Sequence, residues 1–160
     1  MKAMPQKFLA IVFSLFLFSC SGNHVAPEII FSTTTGEQVA LSKLRGKPVL
    51  ITFWATSCAS CIKEVPHLIE LYREFHPKGL ELIAVAMPYD PPNHVLEFSK
   101  SQQLPYRVAL DMQGEAVAAF NIIATPTTFL IAPNGNIVLQ KTGLFDLNAM
   151  KNQLLTFIKE

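Results

Sequence analysis

The chain predicts an α/β domain in which a mixed sheet is flanked by helices and preceded by a small β-hairpin. Three observations carry this. Two apolar, β-branched runs, "VLITFWA" (Val49–Ala55) and "LELIAVAM" (Leu80–Met87), have the composition of strands buried on both faces. Between them Ile62, Val65, Ile69 and Tyr72 recur at helical spacing, so the order is strand, helix, strand, with the two strands parallel. Near the C-terminus, "TTFLIAPNGNIVLQKTG" shows two strands joined through Asn134-Gly135, a strong hairpin signal that adds antiparallel pairing.

The remaining elements follow in order. "IIFSTTTGEQVAL" (Ile29–Leu41) alternates apolar and polar residues around Thr35-Gly36 and predicts the leading hairpin. The helix after Cys58 places Glu64, Glu70, Arg73 and Glu74 between its apolar positions, so these charged side chains are expected on the solvent side. It carries Pro66 internally and stops near "HPKG". A second helix is expected from about Asn93, a short strand in "YRVALD" and a short helix in "GEAVAAF". Asp146 has the side chain to cap a last helix whose apolar face is Leu147, Met150, Leu154 and Ile158.

The first twenty residues have a different character. Lys2 and Lys7 precede the uncharged run "FLAIVFSLFLF", which is the layout of a secretory signal and is shorter than a membrane-spanning helix. "LFSC" (Leu17–Cys20) resembles a bacterial lipobox, which implies cleavage before Cys20 and a lipid on its sulfur. The expected organisation is a signal peptide at 1–19, a lipidated tether at 20–28 and a folded domain at 29–160. Two or more acyl chains hold a protein firmly at a bilayer where one does not. Ser21 resembles the sorting context of outer-membrane rather than inner-membrane lipoproteins in a bacterium with two membranes. Loss of residues 1–19 lowers the basic residues from 13 to 11 against 12 acidic ones. No basic stripe remains for phosphates, which argues against nucleic acid as a partner.

With Cys20 lipidated, the chain's three cysteines reduce to one pair, Cys58 and Cys61. A closed zinc site wants four ligands, and no second pair is present, nor do His67, His76 and His94 show a metal-ligand spacing. Haem attachment needs His after the second Cys, where this chain has Ile62. Copper(I) accepts thiolates, and Met87 follows a neighbouring strand, so copper stays open. A purely structural disulfide closes too short a loop to constrain the unfolded chain much. Redox exchange fits best. A cysteine at a helix N-terminus meets unpaired N–H groups that stabilise its thiolate, so Cys58 is the expected nucleophile. Cys61, one helical turn later, is placed to resolve a mixed disulfide.

These pieces together resemble the thioredoxin superfamily, and within it the exported TlpA/ResA-like thiol–disulfide oxidoreductases. The resemblance rests on "GKPVLITFWATSCASC", Pro66 five residues after the second Cys, "ATPTTFLIAPNGNIV" and "KTG" before the last helix. It implies a thioredoxin-like fold with an N-terminal β-hairpin extension and a cis bond between Thr125 and Pro126. That bond would present the main chain of Thr125 to a partner segment by β-type pairing. Trp54 is expected to shield the active-site turn. Three positions depart from the pattern: Ser57 replaces a Trp, Ser60 replaces a Pro, and Thr52 stands where thioredoxin has a buried Asp. Glu64 and Asp90 are therefore the candidates to move protons for Cys61.

The expected activity is disulfide reduction in partner proteins, with no added cofactor beyond the redox-active disulfide itself and no metal. The resemblance implies a monomer tethered to a membrane, a membrane electron donor, and clients such as apocytochrome c or a copper-site assembly protein. Two rivals belong to other classes. One is a thioredoxin-fold module that holds copper or a client without turnover. The other is a peroxidase, disfavoured because Ala55 stands where that relative has Thr.

Overall fold

The computed structural model describes residues 24–158; the signal, the lipobox with Cys20, Ser21 and the start of the tether lie outside them. A two-stranded antiparallel hairpin, β1 (Ile30–Ser32) and β2 (Gln38–Ala40), leads into the main sheet. That sheet contains β3 (Val49–Trp54), β4 (Glu81–Ala86), β5 (Arg107–Leu110), β6 (Thr127–Ile131) and β7 (Ile137–Thr142) in the order β5-β4-β3-β6-β7. The β3–β4 and β4–β5 pairs are parallel, whereas β6 and β7 add antiparallel strands. Four helices are described: α1 (Ala59–Phe75), α2 (Pro92–Ser101), α3 (Glu115–Ala119) and α4 (Leu147–Leu155).

Every residue of β3, β4 and β6 is buried, as their mainly apolar runs lead one to expect, with Thr52, Glu81, Thr127 and Thr128 buried among them. Two cores result, one on each face of the sheet. Leu50, Leu82 and Leu130 point to the side of α1 and α4, while Ile51, Phe53 and Phe129 point to the side of α3 and the hairpin. The hairpin is fastened to the sheet edge through main-chain bonding of Thr34 N–H to Val108 O at 2.8 Å. Charge adds to this: Arg107 donates to Glu37 at 2.9 Å and to the buried Glu81 at 2.6 Å, and Lys47 donates to Glu81 at 2.7 Å. Asp146 caps α4 as expected, accepting from the Ala149 N–H at 2.7 Å.

One expectation is overturned in α1. The spacing puts Glu64 among the polar positions, but the buried residues are Cys61, Glu64, Val65, Leu68, Leu71 and Phe75. Ile62, Ile69 and Tyr72 only flank this face. The helix is covered by the sheet and also by α4, so its buried sector is wider and rotated relative to the apolar stripe. A carboxylate one turn after Cys61 is thereby carried into the core.

Candidate active site

The site forms where β3 leaves the sheet. Met87 N–H bonds Trp54 O at 2.9 Å, which is the last main-chain rung between β3 and the segment after β4. Beyond it the chain turns through Ala55–Ser57, with Cys58 N–H on Ala55 O at 3.1 Å, and enters α1. Cys58 is the N-cap residue: its backbone is extended, and its sulfur accepts the Cys61 N–H at 3.2 Å. The helix end therefore presents a donor to the sulfur, as its position in the sequence predicts. The Ser60 hydroxyl lies 3.4 Å from the same sulfur. Cys58 and Cys61 are joined as a disulfide, Cys58 half-buried and Cys61 only 2 % exposed. Cys58 is thus the more accessible of the pair and Cys61 the sheltered one.

Behind Cys61 lies a small cavity lined by Thr52, Trp54, Glu64, Leu104 and Tyr106. Glu64 is 1 % exposed, and burial raises its pKa from 4.5 to about 7. The Phe145 N–H, 3.3 Å from one carboxylate oxygen, and the Thr128 hydroxyl oppose that rise without cancelling it. Gly143 makes the Phe145 contact reachable: its φ of +82° turns the chain after β7, while its N–H bonds Pro126 O at 2.8 Å. Tyr106 is held neutral, because burial and the neighbouring Glu64 push its phenol well above the usual range. The Thr52 and Thr128 hydroxyls are 3.0 Å apart, so the position where thioredoxin has an acid holds a neutral pair.

The structure separates the two candidate proton carriers. Glu64 shares the cavity with Cys61, one helical turn away. Asp90 is also buried, but its oxygens accept from the Thr56 N–H and the Thr56 hydroxyl, both at 2.6 Å. Trp54 is buried against Phe98, with ring centroids 5.4 Å apart, and forms a wall of the Cys61 cavity. The Thr125-Pro126 bond is cis. The β3–β6 register sets Thr127 opposite Phe53, so Thr125 and Pro126 fall level with the start of the cysteine turn. Tyr106, Thr128 and Phe145 are site residues that motif spacing does not disclose, since each comes from a distant element. Among the described residues no three His, Cys, Asp or Glu side chains cluster as metal ligands.

Comparison with known proteins agrees with this geometry. The model of the AhpC/TSA family matches residues 23–140. The thiol-disulfide oxidoreductase ResA of Bacillus subtilis is 36 % identical over 125 residues, spanning 78 % of this chain and 69 % of the relative. The chain belongs to the ResA-like thiol–disulfide oxidoreductases of the AhpC/TSA family. The solution structure of a protein described as a thioredoxin from Neisseria meningitidis superposes with a TM-score of 0.77 at 31 % identity, covering 82 % of this chain and 87 % of that one. The thioredoxin domain of a thiol-disulfide oxidoreductase from Bacteroides vulgatus gives a TM-score of 0.74 at 25 % identity, covering 86 % and 97 %. The ResA-like chain thus has a thioredoxin-like fold, and its Cys58–Cys61 pair stands at the helix start. Disulfide-containing proteins are the client class this family implies.

Proposed function

We propose that this ResA-like protein is a membrane-anchored, extracytoplasmic reductase of protein disulfides, working through Cys58 and Cys61 with Glu64 as the proton carrier. The observation that carries the reading is the asymmetry of the pair: Cys58 half-buried at the N-cap, Cys61 buried beside Glu64. The Cys58 thiolate attacks one sulfur of a client disulfide, and the other client sulfur leaves with the bonding electron pair and takes a proton from solvent. Glu64 removes the proton of Cys61, whose sulfur then attacks Cys58; the Cys58–client bond breaks, and the second client sulfur leaves with the electron pair and takes up the proton that Glu64 gives back. Two electrons pass to the client, and the domain finishes as the Cys58–Cys61 disulfide. No cofactor beyond that disulfide takes part.

Reduction then requires a donor of two electrons, which we assign to a membrane protein facing the same compartment. Anchoring through a lipid on Cys20 is supported by the basic, apolar and Leu17–Cys20 sequence order, and Ser21 favours the outer membrane. The protein acts as a monomer, and client proteins whose paired cysteines must be reduced, such as apocytochrome c or a copper-site assembly protein, suit the site. Trapping tests the reading. Cys61→Ala expressed in the native host should accumulate discrete mixed disulfides on Cys58, whereas glutathione adducts alone would refute partner exchange. Cys20→Ala should move the protein from the membrane fraction to the soluble one; unchanged fractionation would refute the anchor.

A further inference from the structure

Asp90 is a buried acid that the proton chemistry above does not use. Its side chain spans from the loop after β4 to the turn after β3. One oxygen accepts the Thr56 N–H and the other accepts the Thr56 hydroxyl, each at 2.6 Å. Asp90 is itself fixed, since its own N–H bonds Met87 O at 2.9 Å, and it is 5 % exposed. Past the Met87-to-Trp54 rung, main-chain pairing between the two parallel strands has ended. From there to α1, the turn is held by Cys58 N–H on Ala55 O and by this carboxylate. Thr56 sits two residues before Cys58, inside the turn that leads to the sulfur accepting the Cys61 N–H.

We propose that Asp90 is a positioning residue for the attacking thiol: by gripping both donors of Thr56 it holds the strand-to-helix turn that seats Cys58 as the N-cap of α1. The proposal rests on the thiol-exchange reading of the Cys58–Cys61 pair. Two effects of the carboxylate have opposite signs, which makes the proposal decidable. Its geometry keeps the sulfur at the helix N-terminus and favours the thiolate. Its negative charge, a short way off, disfavours a second anion. If geometry dominates, removing the side chain raises the Cys58 pKa; if charge dominates, removal lowers it.

The test is the pH dependence of Cys58 alkylation in the reduced full chain, read by peptide mass, together with the equilibrium against glutathione. Asp90→Ala should raise the Cys58 pKa by about one unit, against the several units that helix N-termini and cationic neighbours can lower a cysteine. The destabilised thiolate should move the glutathione equilibrium up to about tenfold toward the disulfide, or about 30 mV lower in potential. Asp90→Asn keeps an acceptor for the N–H and a partner for the hydroxyl but removes the charge. It should leave the Cys58 pKa at or below the wild-type value. Thr56→Val, which loses only the hydroxyl bond, should give a smaller rise and serves if Asp90→Ala does not fold. A fall in the Cys58 pKa in both Asp90 variants, or no change in Asp90→Ala and Thr56→Val, would overturn the clamp. Because the alkylation is read without any client, absence of client exchange by wild-type protein would refute the proposed function and leave this result to stand or fall separately.

Discussion

Replacing Glu64 by Gln keeps the shape of the side chain and removes its titration. The wild-type carboxyl, with its pKa raised to about 7 by burial, is ionised to about 10 % at pH 6 and about 90 % at pH 8. Only the ionised form takes the proton from Cys61, so resolution of the mixed disulfide should accelerate about ninefold across that interval. The amide of Glu64→Gln cannot accept a proton, and the step should be slower by about 10²-fold or more and lack this rise. The assay is single-turnover: preload Cys58 with a peptide through a mixed disulfide, then follow peptide release by rapid quench at pH 6, 7 and 8. Stability supplies a second readout with a definite sign. A folded-state pKa above the unfolded value means that the stabilising contribution is complete below pH 4.5 and is lost as pH rises through about 7. The full shift corresponds to about 3 kcal/mol, and partial screening brings it to about 2. Wild-type protein should therefore lose that much between pH 5 and pH 9 relative to Glu64→Gln. A variant that releases peptide with the wild-type rate and pH profile would refute the role of Glu64.

Other substitutions probe the scaffold. Burial alone would raise the Glu81 pKa, but hydrogen bonds from Lys47 and Arg107 and their charges hold it below the usual value, so its stabilising contribution is present at neutral pH and lost as pH falls through the lowered pKa. Glu81→Ala leaves Arg107 with Glu37 alone; it should cost about 3 kcal/mol in urea unfolding at pH 7 and less in acid. Leu130→Ala empties a fully buried site on β6, beside the central strand, and should cost about 3 kcal/mol by the same measurement. Gly143→Ala forces a side chain into the left-handed region and should cost about 1 kcal/mol, and by disturbing the Phe145 N–H it should also shift the pH profile of mixed-disulfide resolution upward.

The strands were legible because parallel and central strands need continuous apolar sequence, and Val49–Trp54, Glu81–Ala86 and Thr127–Ile131 have it almost throughout. The cysteine pair was legible because the change of period after Cys58 fixes a strand-to-helix junction. Glu64 was misplaced for a physical reason. Periodicity reports the apolar stripe of a helix, whereas burial is decided by everything that packs on it, and the loop at Phe145 reaches Glu64 from 81 residues away. The grip of Asp90 on Thr56 was equally out of reach, since it depends on the register of two parallel strands. Thr52 shows the reverse: its side-chain chemistry ruled out an acid role directly, and only its partner, Thr128, needed the β3–β6 register.

Competitive alkylation tests the central assignment most directly. Fully reduced protein, given a limiting amount of iodoacetamide at neutral pH and mapped by mass, should carry the label on Cys58 in large excess over Cys61. Equal labelling, or preference for Cys61, would contradict an outward nucleophile with a sheltered resolving partner.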